Sequence, residues 1–226
     1  MATIMAADAA DGIPDARNYR GFADLAAAQV RGRDYEISIR RRRASRVAVV
    51  APHAGGIEDG TSELARAIAA DDFNLYLFEG TRSAHNYLAL HLTSHLFDEP
   101  QCLRLIAACT AVVSVHGCAG ADSSLYLGGR DTALRDRLAD GLRAAGLRAA
   151  VDGHRFPAIH PRNICNRGAT GRGVQLEATH SLRQPAAGRG VAAAIRAVFA
   201  AAAGGRGAAA PACYYTIDQL LSQRIG

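Results

Sequence analysis

Three apolar runs of strand length decide what this chain can fold into: Arg46 to Ala51 (RVAVVA), Asn74 to Phe78 (NLYLF) and Ala111 to Val115 (AVVSV). None alternates regularly between polar and apolar residues, as a strand with one wet face would. Each is also too short for a buried helix. Runs of this kind belong to strands covered on both faces. Helical patterns separate them. Phe22 to Val30, Thr61 to Ala70, Pro100 to Ala108, Asp131 to Ala145 and Gly190 to Ala203 all read as helices. Thr61 is the expected N-cap of the second, and Pro100 suits the first turn of the third. Tyr35 to Ile39 alternates and reads as a strand. Ser124 to Leu127, Arg148 to Val151 and Gly173 to Ala178 read as further strands. A loop at Gly204 to Gly207 precedes a short terminal helix, Ile217 to Ser222. The expected fold class is α/β: a loose segment over residues 1–20, then one compact domain over 21–226. Its central sheet is mixed and twisted, with helices on both faces. In such sheets ligands bind beyond the carboxyl ends of the strands.

Composition narrows the function classes. The first residues, MATIMAADAADGIPDARN, contain no basic stretch followed by an apolar one, so no secretory leader is expected. No window approaches ~18 uninterrupted apolar residues, so no membrane span is expected. The five cysteines, Cys102, Cys109, Cys118, Cys165 and Cys213, are odd in number and form no C-x-x-C pair. They read as reduced thiols of a cytoplasmic protein, expected to be a monomer. Cys102 and Cys109 are expected in the core. The net charge of +5 invites a nucleic-acid reading, but all 26 basic residues are arginine. The one cluster, Arg40 to Arg43 with Arg46, reads most simply as a solvated edge. A nucleic-acid-binding replication accessory is the competing class. Aromatic interleaving, a helix-turn-helix pattern and zinc-finger spacing are all missing from the sequence, so nucleic acid is not the expected partner.

Three strands deliver polar residues at their carboxyl ends. The first runs into PHAGGIEDG and presents His53 and Glu58. The second ends at His116 and the third at Glu177. A histidine and a carboxylate five apart do not share a helix face, but on a glycine turn they can converge. Two histidines and one carboxylate form a zinc set that leaves a fourth position open, the mark of a catalytic site. A further carboxylate that is not a ligand can then act as general base. Glu177 alternates with Gln175, so both share a strand face, and a carboxylate in an apolar strand should meet a polar cleft. Asp59 is an additional ligand candidate. His85, His91, His95, His154, His160 and His180 cannot all be functional. His91 and His160 are expected to be dispensable for metal binding.

The segments APHAGGIEDGTSELARAI, LYLFEGTR, LHLTSHLFDEP, VSVHG, YLGGRD and NICNRGATGRGVQLE occur in this order, followed by LR. Together they make the chain, from about Tyr19 to about Phe199, similar to the poly-gamma-glutamate hydrolase family. That resemblance implies a compact zinc-carboxypeptidase-like domain with one zinc per chain. By matching position it implies His53, Glu58 and His116 as metal ligands and Glu177 as general base. Ala54 stands where another glycine is expected. The implied substrate is an anionic gamma-glutamyl polymer, with a small gamma-glutamyl or N-acyl amino acid as the alternative. Arginine binds carboxylates in a two-pronged fork. Arg167, with its neighbour Asn166, is the first choice for that role because it precedes the strand bearing Glu177. Arg130 is the next choice, with Arg82 and Arg183 behind it.

Overall fold

The computed structural model describes residues 15–204. The expected terminal helix at Ile217 to Ser222, the loop beyond Gly204, Cys213 and most of the segment 1–20 lie outside the described residues. Seven strands form one sheet: β1 (Tyr35–Arg40), β2 (Val47–Gly55), β3 (Asn74–Gly80), β4 (Ala111–Cys118), β5 (Ser124–Gly128), β6 (Arg148–Ala150) and β7 (Val174–Thr179). Their order is β1-β3-β2-β4-β7-β5-β6. The four central strands run parallel, while β1 and β5 pair antiparallel to their inner neighbours. The sheet is therefore mixed, as expected.

The strands β2, β3 and β4 each feed two cores at once. In β2, Val49 and Ala51 point into one core, and Ala48 and Val50 into the other. In β3, Leu75 and Leu77 join the first core, and Tyr76 and Phe78 the second. The first core is roofed by α2 (Thr61–Ala69), α5 (Thr132–Ala144) and α7 (Pro185–Gly204). The second is covered by α1 (Phe22–Ala28), α3 (Asn86–Leu90) and α4 (Pro100–Ile106). Burial at this level contributes about 1.5–3 kcal/mol for a side chain such as Leu77 or Phe78. Cys102, Cys109, Cys118 and Cys165 are all buried free thiols.

Three local departures from expectation matter for the site. Thr61 is not an N-cap: Gly60 occupies that position in the left-handed region (φ +85°), and Thr61 is the first helical residue. The short helices α3 and α6 (His180–Arg183) were not anticipated by the apolar pattern. And β2 does not stop at Ala51. It continues through Pro52, which has no N–H to give to the ladder, and bulges there. Ala51 lies opposite Leu77 but Ala54 lies opposite Glu79, three residues of β2 spanning two of β3. Bulges of this kind re-aim a side chain; here the side chain is that of His53. On its other side β2 pairs with β4 only from Val47 to Val50. Beyond that point the two strands part, and a crevice opens at their carboxyl ends.

Candidate metal centre

His53, on the bulge, is 2% exposed. Its Nε2 lies 2.8 Å from the carbonyl of Leu92. A carbonyl can only accept, so Nε2 carries the proton and a neutral His53 turns a lone pair on Nδ1 into the crevice. The chain then folds back. Gly55 takes a left-handed backbone (φ +62°), and a Cβ there would stand 2.7 Å from the Gly80 carbonyl. The Glu58 amide donates to the His53 carbonyl at 3.0 Å. The buried Thr61 hydroxyl is shared between the carbonyls of His53 (3.1 Å) and Glu58 (2.7 Å). Thr61 thus closes the turn rather than capping a helix. The result puts Glu58 Oε1 at 3.2 Å from His53 Nδ1, while Oε2 accepts the Gly117 amide at 2.7 Å.

His116, from β4, meets them across the crevice. Its Nδ1 lies 3.1 Å from His53 Nδ1 and 3.9 Å from Glu58 Oε2. Burial, with the charge of His53 next, pushes its pKa down to about 3. The neutral ring that results is the form that ligates metals. Its Nε2 is buried without a partner.

This arrangement fits a metal ion. Two acceptors, His53 Nδ1 and Glu58 Oε1, face each other at hydrogen-bond distance with the tautomer of His53 already fixed by Leu92. A cation shared by the two, a proton or a metal, relieves that repulsion. With the proton, burial would raise the Glu58 carboxyl, but the His53 charge, aided by hydrogen bonds from His53 and His91, holds it well below the usual range. With a metal, the bond from His53 Nε2 to a backbone carbonyl is the usual outer support of a ligating histidine.

One member was missed in the sequence. His91 Nε2 lies 3.2 Å from Glu58 Oε1, and His53, Glu58 and His91 offer ligand atoms within 4.8 Å of one another. Its ring is sandwiched between His53 (centroids 3.9 Å apart) and Tyr87 (4.3 Å). Among the described residues Tyr87 and His91 are brought there by α3, too short to announce itself by periodicity. The i,i+4 spacing of Tyr87 and His91 was the one available signal. The expectation that His91 is dispensable is revised accordingly. His91→Ala is expected to weaken zinc binding about 10- to 100-fold, the range for partners of ligating residues, in a competition titration against a chelator. His160→Ala, whose ring lies tilted against that of His95, is expected to leave it unchanged.

Glu177 sits on β7 directly opposite His116 in the ladder. It is buried, and its Oε1 accepts from Gln175 Nε2 at 2.8 Å, while Gln175 Oε1 accepts from Asn163 Nδ2 at 2.8 Å. Burial, reinforced by the charge of Glu58, pushes its pKa up to about 8; Gln175, Arg155 and Arg183 act against the rise. The shared face of Gln175 and Glu177 is as the alternation implied.

The candidates for substrate binding are placed elsewhere. Asn166 is fully engaged: its amide donates to the carbonyls of Ala158 and His160, and its oxygen accepts from the amides of Arg130 and Gly173. It ties the loop before β7 together and has no donor left for a ligand. Arg167 reaches back to the Phe97 carbonyl at 3.5 Å, close enough to α4 for its charge to bear on the buried Cys102. Arg130 is exposed and enters this network through its backbone. Asp59 is exposed, and its contribution is its carbonyl, which accepts from Arg183. The arginines whose charge bears on Glu177 are Arg155 and Arg183.

The chain is similar to known proteins in fold and in sequence. The structure resembles that of a bacteriophage poly-gamma-glutamate hydrolase, with a TM-score of 0.78 and 34% identity over 84% of this chain and 99% of that one. A YndL structure, described as zinc-free apo protein, gives a TM-score of 0.69 and 36% identity over 75% of this chain and 82% of that one. In sequence, the UPF0714 protein YndL of Bacillus subtilis (strain 168) is 38% identical over 153 residues, 67% of this chain. The chain spans 60% of that relative's length. The family model for poly-gamma-glutamate hydrolase matches residues 19–187, which include every element from β1 to β7 and with them His53, Glu58, His91, His116 and Glu177. The chain belongs to the poly-gamma-glutamate hydrolase family.

Proposed function

We propose that this chain is a zinc-dependent hydrolase of gamma-glutamyl amide bonds, acting on poly-gamma-glutamate. The observation that carries the reading is the pair of facing acceptors, His53 Nδ1 and Glu58 Oε1 at 3.2 Å, with the buried carboxyl of Glu177 one strand away. The name of the phage homologue and the zinc-free description of YndL support the substrate and the metal respectively. His53, Glu58 and His116 would hold the ion, with His91 beside Glu58. Zinc, when bound, supplies Lewis acidity that polarises a carbonyl and eases the deprotonation of water. The protein's own groups do the rest. In its ionised form, which a nearby metal charge would favour, Glu177 takes a proton from the attacking water as the new C–O bond forms. It then delivers that proton to the amide nitrogen as the C–N bond breaks. Gln175, itself held by Asn163, donates to Oε1 and leaves Oε2 for this transfer. We place the hydrolytic domain over residues 21–226, of which 205–226 lie outside the described residues.

The nucleic-acid reading is the weaker one. In the basic run, Arg42 pairs with Asp71 at 2.6 Å and Arg40 approaches the same carboxylate at 4.0 Å, which removes part of the patch's charge. Among the described residues, no helix is long and apolar enough to cross a membrane.

The test is hydrolysis of poly-gamma-glutamate, of a short gamma-glutamyl peptide and of an N-acyl glutamate by purified protein carrying about one zinc per chain. Release of amine from the first two, lost on chelation and restored by zinc, is the expected result. Cleavage of the N-acyl compound alone would move the protein to the small-molecule alternative. No cleavage, with no zinc and steeply salt-dependent DNA binding, would sink the proposal.

A further inference from the structure

Arg183 ends α6, which follows β7 without a break. It is 8% exposed, and the fold makes room for it at two glycines. A Cβ on Gly117 would collide with its guanidinium, and one on Gly60 would lie 2.8 Å from its Cβ. Gly117 follows His116, and Gly60 closes the Glu58 turn, so the side chain is wedged into the wall between the metal ligands. Its Nη1 donates to the Asp59 carbonyl. Its Nε is buried with no partner.

That is an unusual state for an arginine. The guanidinium is always charged, and a buried charge without a counter-ion is costly. Elsewhere the fold pairs such groups: Arg82 Nη1 lies 2.9 Å from the buried Asp34 carboxylate. Among the described residues Arg183 forms no salt bridge. With Nη1 engaged, its free side is the Nε/Nη2 edge. This is the edge with which Arg20 grips Asp24 here, Nε to Oδ2 at 3.0 Å and Nη2 to Oδ1 at 3.3 Å.

We infer that Arg183 is the specificity residue that receives the substrate's α-carboxylate, the one next to the scissile gamma-glutamyl amide, in a side-on fork. The inference rests on the proposed function for the choice of substrate. It explains why a charge is left unpaired beside the ligands: its counter-ion arrives with the substrate. It also sets the substrate requirement. A gamma-glutamyl unit with a free α-carboxylate is accepted, and one with that group esterified is not.

The test is calorimetric titration of the zinc-loaded Glu177→Gln protein, which should bind without turnover, using tri-gamma-glutamate and its α-methyl ester as probes. The free acid is expected to bind about 10- to 100-fold more tightly than the ester. Adding Arg183→Met should bring the acid to the level of the ester and leave the ester unchanged. Arg183→Lys should restore only part of the difference, since an ammonium cannot form the fork. Because an unpaired buried charge is being removed, the melting temperature of Arg183→Met should not fall. Equal weakening of acid and ester would indicate a structural role or contact with the reacting carbonyl, and would overturn the assignment; so would no weakening of either. If Arg183→Met does not fold, Arg183→Lys decides alone, and acid binding as tight as with arginine refutes the fork. Titration needs no hydrolysis. A wild type that cleaves no gamma-glutamyl bond, yet loses acid selectivity with Arg183, would sink the proposed activity and leave this inference standing. Cleavage without Arg183-dependent selectivity would do the opposite.

Discussion

Glu177→Gln is expected to lower kcat roughly 10²- to 10⁴-fold, the range for loss of a general acid–base group, while zinc content and fold stay as in wild type. The substitution keeps the shape of the side chain and the ladder position opposite His116. It removes the one property the mechanism needs, the ability to take up a proton. The measurement is single-turnover hydrolysis beside elemental analysis of the same sample. Loss of zinc from Glu177→Gln would make Glu177 a ligand and pass the base role to Glu58. Full activity with full zinc would end the carboxypeptidase-like mechanism for this protein. The metal-free protein offers a second readout. Glu177 is pushed up to about 8, chiefly by burial, against about 4.3 in an unfolded chain. The folded state therefore binds its proton more tightly than the unfolded state. This contribution to stability is fully present below about pH 4.3 and is lost as pH rises through about 8. Glu177→Gln has no such titration. Its melting temperature, relative to metal-free wild type, should gain steadily between pH 5 and pH 8.

His53→Ala is expected to lose most of its bound zinc, and activity with it, because it removes a donor that no neighbour can replace. His53 Nδ1 lies close to both Glu58 and His116, at 3.2 and 3.1 Å. Its Nε2–H also satisfies the Leu92 carbonyl, so the loop that carries His91 loses a tether as well. His116→Ala should behave alike in zinc content. Elemental analysis of both, with His160→Ala as reference, makes the check; full zinc in either variant would remove that histidine from the site.

Much of this was legible in the sequence, for a definite reason. Runs such as VAVVA and AVVSV can be buried on both sides only within a covered sheet, and the residues at their carboxyl ends then fall on one rim. His53, His116 and Glu177 follow from that rule, and Glu58 follows from the glycines that let the chain return. What stayed hidden depends on contacts remote in sequence. His91 is delivered by a helix of five residues, below the length at which period can be read. Thr61 has the chemistry of a cap, but a left-handed Gly60 takes the cap position and frees its hydroxyl for the turn. The arginines were least legible. Arg167, Arg130 and Arg183 differ little in local sequence context, and only the packed structure separates a guanidinium tied to Phe97 from one wedged between two glycines beside Glu58 and His116.

The parting of β2 from β4 has a mechanical meaning. The strands β1, β3 and β2 make one leaf, and β4, β7, β5 and β6 the other; in the sheet, the leaves are hinged by the short ladder from Val47 to Val50. His53 belongs to one leaf and His116 to the other. An ion held by both is a clasp across an open seam, placed where the backbone has stopped stitching. Its binding energy then counts toward the cohesion of the whole sheet, by mass action on the folded state.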